Sequence, residues 1–511
     1  MNHRKKMQSF RERRQKHLAM GGDKKLKIRR DQGRMNARER IDRLFDEGSF
    51  EEIGLLTHSA RPEAAEKTPA DGKIIGHGMV ESRPVLAVAN DLTVMGASSA
   101  ATNMKKIEYV RRLSCEKGLP LVFLGESSGA RIPDVMGAIG MAHGGQNTAQ
   151  YRRLREAPWL SLLLGPCFGS SAWYSVLADI SIMLKGATMA VSSPRVTRIA
   201  IGEDIPPEEL GGWKVHAEMT GLVDLVCETE EECIGLARRV LNYLPTNASE
   251  APLREQSAIL PPDDAPDLLK ILPEESQRVY DVRRILEIIL DGGEFLELKT
   301  QFGRPCVTAL ARLGGRPVGV VANNPYYGAG ALTADCCDKI TSFLVLCDSY
   351  NLPIVMLVDT PGFLIGRVGE RQRVVGKIMN WMNALSLLSV PVVTIIVGKS
   401  YGQAYLNMAA GKYSSAFAAW PTAQISFMGA EPALSVVYNL RQEDDPERYA
   451  QLLEKIEKDI EPWDAAGVFA LTDIIEPAET RNYLIRMLEL HSDRRRNGIG
   501  LHLLHNWPTS Y

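Results

Sequence analysis

Two stretches of this chain place small residues where a buried strand should hand over to a helix, and either could hold a negatively charged oxygen. One is Gly165-Pro-Cys-Phe-Gly169-Ser170-Ser171, after the apolar run LSLLL. The other is Gly398-Lys-Ser-Tyr-Gly402-Gln403-Ala404, after the run IIV. Small residues let a ligand come close to the backbone. The N–H groups in a helix's first turn have no intrahelical partner, and the helix dipole favours negative charge there. Two such groups aimed at one point form an oxyanion hole. Tight packing of strand on helix would use the same G-x-x-x-G spacing, so the weight lies in finding it twice.

A second pair follows the same plan. Glu126-Ser-Ser-Gly129-Ala130-Arg131 and Asp359-Thr-Pro-Gly362-Phe363 each begin with an acid at a strand end and continue into a Gly turn. The acids read either as general acid/base carboxylates or as helix N-caps. Arg131 would either grip a phosphate or carboxylate of a ligand or bridge to a neighbouring acid. No Walker loop, G-x-S-x-G elbow or G-x-G-x-x-G after a strand is present. No His or Cys spacing suits a metal, so none is expected on this chain.

The elements that position these residues come from a duplication. RPVLAVAN at 83–90 returns as RPVGVVAN at 316–323, and LPLVFLGESSG at 119–129 returns as LPIVMLVDTPG at 352–362. Gly165 and Gly398, and then Gly169 and Gly402, keep the same offset of 233 residues. A period that long means two domains rather than a solenoid. Short continuous apolar runs such as LAVA, LVFL and LSLLL, bounded by Gly and Pro, read as buried parallel strands. Helical stretches at 104–117 and 337–350 lie between them, so the class is α/β. Six prolines between 245 and 273 suggest a linker over 246–275, with a helix at 277–290 opening the second domain, 276–511.

Composition sets the outer limits. Of 511 residues, 45% are hydrophobic and 24% charged, with net charge −2, which asks for neither nucleic acid nor membrane. No apolar run reaches the roughly 18 residues of a membrane span, and no secretory h-region opens the chain, so a cytoplasmic location is expected. The eight cysteines form no C-x-x-C pair and read as reduced, neither disulfide staples nor zinc ligands. Residues 1–40 carry 15 Lys/Arg against 4 Asp/Glu. They read as a solvated helical arm before a first domain at 41–245, with an anionic partner (CoA phosphates or a subunit surface) as the alternative.

Several strings carry a resemblance. RMNARERIDRLFDEGSFEEI (34–53), ESSGARIP (126–133), GPC-x-G (165–169), GEDIPPEELGG (202–212), ANNP (322–325), VDTPGFL-x-G (358–366) and AWPTAQISFMGA (419–430) run in one order from about residue 30 to 470. Together they resemble the carboxyltransferase (β) subunits of biotin-dependent acyl-CoA carboxylases, propionyl-CoA carboxylase β-like. The resemblance implies two duplicated crotonase-like spiral domains and a homo-hexamer. Acyl-CoA would sit mainly on the first domain of one protomer, and biotin on the second domain of its neighbour.

Biotin would come on a carrier subunit served by a biotin carboxylase, since this chain lacks an Ala-Met-Lys-Met biotinylation motif; Asn103-Met104-Lys105-Lys106 is the nearest string. Carboxybiotin would release CO2 in a desolvated pocket, the ureido nitrogen would take the α-proton of the thioester, and the enolate would attack CO2.

By match to the family motifs, the backbone N–H groups of Gly169 and Ser170 would hold the thioester oxygen, and those of Gln403 and Ala404 the biotin oxygen. Gly129, Ala130, Arg131, Trp173 and Leu406 would contact the acyl-CoA. Gly362, Phe363, Tyr401 and Gly402 would contact biotin. The chain departs from the family at several of these places. Gly-Gly-Ala-Val-Tyr becomes Gly169-Ser-Ser-Ala-Trp173, and Tyr-Gly-Gly-Ala-Tyr-Asp becomes Tyr401-Gly-Gln-Ala-Tyr-Leu406. The holes survive only if φ is ordinary at Ser170 and Gln403. The family's G-I-I-R-H-G-A-K stretch becomes Val374-Val-Gly-Lys-Ile-Met-Asn-Trp381, which points to an unusual substrate. Three rival readings remain: an acyl-CoA decarboxylase subunit running the same half-reaction, a biotin-free crotonase-type enzyme with Glu126 as one of two carboxylates, and a non-catalytic acyl-CoA-binding scaffold.

Overall fold

The computed structural model describes residues 3–143, 154–256, 267–273, 278–409, 413–492 and 503–507. The chain divides into two compact units, 1–250 and 251–510. In the first, the strands are β1 (Glu51–Ile53), β2 (Lys73–Val80), β3 (Arg83–Asn90), β4 (Leu121–Ser127), β5 (Trp159–Phe168), β6 (Ile180–Leu184), β7 (Thr188–Ala190) and β8 (Leu225–Cys227). They form one sheet in the order β1-β2-β3-β4-β5-β6-β8, with β7 on the outer part of β5. The β1–β2 and β2–β3 pairs are antiparallel and the rest parallel.

The second unit repeats the plan. Its strands are β9 (Phe295–Leu298), β10 (Cys306–Leu313), β11 (Arg316–Asn323), β12 (Ile354–Thr360), β13 (Val392–Tyr401), β14 (Ala416–Ala419), β15 (Gln424–Ser426) and β16 (Asp473–Ile474). They run β16-β14-β13-β12-β11-β10-β9, with β15 on β13. This is the duplicated α/β architecture that the repeat requires. LAVA, LVFL and LSLLL fall in β3, β4 and β5, and their residues are fully or nearly fully buried. Their lack of polar alternation follows from being covered on both faces.

Equivalent helices close equivalent crossovers. Ala101–Lys117 follows β3 and stops at Gly118, whose left-handed φ of 60° suits only a residue without a β-carbon. Ala334–Ser349 follows β11 and is buried along most of its length. Each carries a buried lysine at the same repeat position. Lys106 Nζ donates to the carbonyls of Gly54, Ala70 and Lys73. Lys339 Nζ donates to those of Lys299, Phe302 and Cys306 at 2.9, 3.0 and 2.8 Å. Each ammonium thus ties two carbonyls of the connection before a strand to the carbonyl of that strand's first residue.

Four expectations need correction. The helix Ala37–Leu44 spans the expected boundary at 40/41, and Arg40 inside it is fully buried. Arg29 is buried as well, so the basic segment enters the first unit's core from there on, while the helix His3–Leu18 buries no residue and fits the expected solvated arm. The chain parts between Glu250 and Ala251, and Leu268 and Ile271 pack in the core of the second unit. The span 246–275 is therefore no free linker, though 257–266 and 274–277 lie outside the described residues. The opening helix of that unit is shorter than expected, Arg283–Ile289. Finally, Cys227 and Cys233 form a disulfide, closing the turn from β8 into the helix Glu230–Tyr243.

Candidate active site

In both units the acid at one strand end lies beneath a glycine of the next strand. The β4–β5 register slips between Gly125 and Ser127, and the β12–β13 register slips between Val358 and Thr360. The acids sit inside those slips. A β-carbon built on Gly165 would meet Glu126 Oε1 at 2.5 Å, and one on Gly398 would meet Asp359 Oδ1 at 2.7 Å. The first glycine of each G-x-x-x-G therefore makes room for a carboxylate, not for a ligand.

Each oxygen of those carboxylates is bonded within the protein. Glu126 accepts from Arg29 Nη1 and Nη2 at 3.1 and 2.9 Å and from Arg40 Nη1 at 2.7 Å. Arg40 also grips Glu230 through Nε and Nη2 at 2.8 and 2.9 Å. Asp359 accepts the Lys399 N–H at 2.9 Å and the Tyr280 hydroxyl at 3.0 Å, and burial pushes its pKa up. Glu126 is thus neither a general base nor a helix cap; it is the centre of a buried ion-pair network. The crotonase-type reading with Glu126 as a catalytic carboxylate loses its residue.

The second glycines make the turns. Gly169 (φ 61°) and Gly402 (φ 58°) lie in the left-handed region and launch the helices Ser170–Leu177 and Gly402–Asn407. Ser170 and Gln403 have ordinary negative φ. The departures from glycine fall one residue past the strained position, so both backbones keep the shape that a hole needs. One donor expected of the first candidate hole is already engaged. The Gly169 N–H turns to the Ala190 carbonyl, 3.4 Å away on β7. The first helical bond is Trp173 N–H to Gly169 C=O at 3.1 Å. The N–H groups of Ser170, Ser171 and Ala172 precede it and find no acceptor among the described residues. In the second unit those of Gln403 and Ala404 stand likewise.

Polar contacts along one side set the first helix in place. Asn90 Nδ2 donates to Ser171 Oγ at 3.3 Å, and Ser175 and Ser161 share a hydrogen bond of 2.8 Å. Trp173 and Leu406, at the same repeat position, stand 43% and 40% exposed on their helices. Tyr401 ends β13 with its hydroxyl on Gln424 Oε1 at 2.5 Å.

The turn after each acid has one geometry in both units. Ser99 N–H donates to Gly129 C=O at 2.8 Å, and Arg131 N–H donates to Ser99 C=O at 2.8 Å. Leu332 bonds Gly362 and Leu364 in the same way, at 2.9 and 2.8 Å. Ala130 and Phe363 are the bridged residues between, and Phe363 meets the Trp381 ring edge-on. The Arg131 side chain is not free for a ligand. It is buried against Asp71 Oδ1 at 2.7 Å and the Ser98 carbonyl at 3.2 Å. That settles its two readings in favour of the neighbouring acid. Sequence reading missed Ser99, because its repeat partner Leu332 hides the equivalence. It also missed Lys106, which the matching Lys-Ile pairs at 106 and 339 could have revealed.

Residues 29–501 match the carboxyl transferase domain model. A propionyl-CoA carboxylase carboxyltransferase subunit from Haloferax mediterranei is 35% identical, over 96% of this chain and 97% of that protein. The methylmalonyl-CoA decarboxylase subunit alpha of Veillonella parvula is 32% identical over 96% and 97%. A crystal structure of transcarboxylase 12S, described as a hexamer with methylmalonyl-CoA bound, superposes with a TM-score of 0.89 at 32% identity over 97% of each chain. The chain belongs to the carboxyl transferase family. Within it, the protein is a carboxyltransferase component of the biotin-dependent acyl-CoA carboxylase type.

Proposed function

We propose that the first unit holds the acyl-CoA and the second the biotin, with carboxyl transfer to or from the α-carbon or a vinylogous position. The observation that carries this is the paired sets of uncommitted first-turn N–H groups, one per unit, each set by a left-handed glycine. The N–H groups of Ser170 and Ser171 would hold the thioester oxygen as negative charge gathers on it. Gly169, in place of its expected role as donor, supplies the turn. Those of Gln403 and Ala404 suit a ureido oxygen, which is uncharged at rest and gains charge in the reaction: neutral donors stabilise it without fixing a counter-ion. Biotin, when bound, supplies the carboxyl group and the base that takes the α-proton. The protein's part is then positioning and charge stabilisation, which needs no catalytic His or Cys.

Gly362, Phe363, Tyr401 and Gly402 would shape the biotin side. Gly129 and Ala130 would back the thioester, and Trp173 and Leu406 would line the acyl chain. A separate biotin carrier and biotin carboxylase, a homo-hexameric core and a cytoplasmic location complete the proposal. The hexamer of transcarboxylase 12S supports the core. The decarboxylase relative keeps the reverse direction as a second reading.

The test is decarboxylation of malonyl-, methylmalonyl-, glutaconyl- and bulkier carboxyacyl-CoAs by the purified chain, with and without free biotin. Biotin-dependent loss of CO2 is expected from at least one. Loss independent of biotin, or no turnover on any, would count against the proposal.

A further inference from the structure

Ser170 brings a hydroxyl to the first hole as well as an N–H, and Ser99 Oγ lies 2.8 Å from it. Ser99 is held on both sides by the backbone bonds to Gly129 and Arg131, and Arg131 is itself fixed on Asp71. Two hydroxyls own two protons, and the bond between them uses one. The other has no acceptor among the described residues. Ser170 is only 8% exposed, where an unmade donor is costly. The second unit has no such pair. Leu332 stands at the position of Ser99, and the Gln403 side chain donates to Asn407 Oδ1 at 3.0 Å.

We infer that the Ser99–Ser170 hydroxyl pair gives the thioester oxygen a further donor beyond the backbone N–H groups. Ser170 makes the contact and Ser99 is the positioning residue. An oxygen that accepts the Ser170 N–H is within reach of the hydroxyl on the same residue. With Ser99 donating to Ser170 Oγ, the Ser170 proton is both strengthened and turned away from Ser99. The thioester oxygen gains charge as the α-proton leaves, so this donor binds the transition state more tightly than the ground state. It therefore raises kcat rather than lowering KM. The inference rests on the proposed function and deepens it.

The test uses the full chain and the variants Ser170→Ala, Ser99→Ala and Ser99→Thr. Two readouts are needed: kcat and KM for biotin-dependent decarboxylation of malonyl-CoA and methylmalonyl-CoA, and the infrared carbonyl stretch of bound acetyl-CoA labelled with 13C at the carbonyl. Ser170→Ala should lower kcat roughly a hundredfold and Ser99→Ala roughly tenfold, with KM little changed. The bound carbonyl stretch should lie below its value in water for the parent and move back toward it in both alanine variants. Ser99→Thr, which keeps the hydroxyl, should behave like the parent. Unchanged kcat and an unchanged stretch in the alanine variants of an active parent would overturn this inference alone. A parent with neither biotin-dependent turnover nor a displaced stretch would overturn the proposed function and this inference with it.

Discussion

Gly165 and Gly398 show how one missing β-carbon governs a strand end. Each leaves the space in which a neighbouring acid folds back to meet its partners. An added methyl must displace a carboxylate whose oxygens are already bonded. Gly165→Ala and Gly398→Ala should each destabilise their unit by about 1–3 kcal/mol, read as a lower denaturation midpoint in urea; unchanged midpoints would contradict the packing described. Arg40→Met removes the guanidinium that joins Glu126 to Glu230 and leaves Glu126 to Arg29 alone and Glu230 to Arg34 at 3.6 Å, at a cost of about 3 kcal/mol in the same measurement. At the second hole, Ala404→Pro takes away one N–H and should abolish carboxyl transfer with the assembly intact by light scattering. Normal turnover in that variant would remove Ala404 from the site. The sequence displayed both acids plainly. Their partners were illegible, because Arg29 and Arg40 lie almost a hundred residues away in a stretch whose charge reads as solvated.

Elements were easier to read than contacts. Continuous apolar runs mark covered strands, and the offset of 233 residues forces equivalent strands and crossovers in both units. The errors fell where charge or proline outweighed burial: Arg40 inside a helix, and Leu268 and Ile271 within a proline-rich stretch. The antiparallel strand β2 carries the least expected group, Lys73, which is buried with its ammonium on the Ala97 carbonyl at 2.7 Å. Burial holds its pKa down to about 7, against an ordinary 10.5. Below pH 7 both folded and unfolded chains carry the proton, and the folded chain bears the cost of a buried ammonium. Between about 7 and 10.5 the unfolded chain binds more protons, so this group makes stability rise with pH. Lys73→Met should remove that part of the slope. The stability of the parent relative to the variant should climb across the window, by at most about 1.4 kcal/mol per pH unit. A difference that stays flat with pH would show that Lys73 does not titrate there.

At the scale of the whole molecule, each unit contributes the same small device: a strand, a left-handed glycine, and a helix whose first N–H groups have no acceptor among the described residues. The duplication let the sequence reveal that device without a reference protein, and the family match gives it a chemistry. Which N–H groups are left over needed coordinates, since the bond from Gly169 to Ala190 leaves Ser170 as the first donor of the proposed hole. The central claim is that this chain passes a carboxyl group between an acyl-CoA and biotin. The most direct measurement follows the carboxyl carbon itself: 13C-carboxyl malonyl-CoA and methylmalonyl-CoA, free biotin and the purified chain, with the label followed by NMR. Label appearing on the ureido nitrogen of biotin, in amounts that depend on the chain, is the predicted result. Label that leaves the acyl-CoA as CO2 at the same rate whether or not biotin is present, and never reaches biotin, would contradict it.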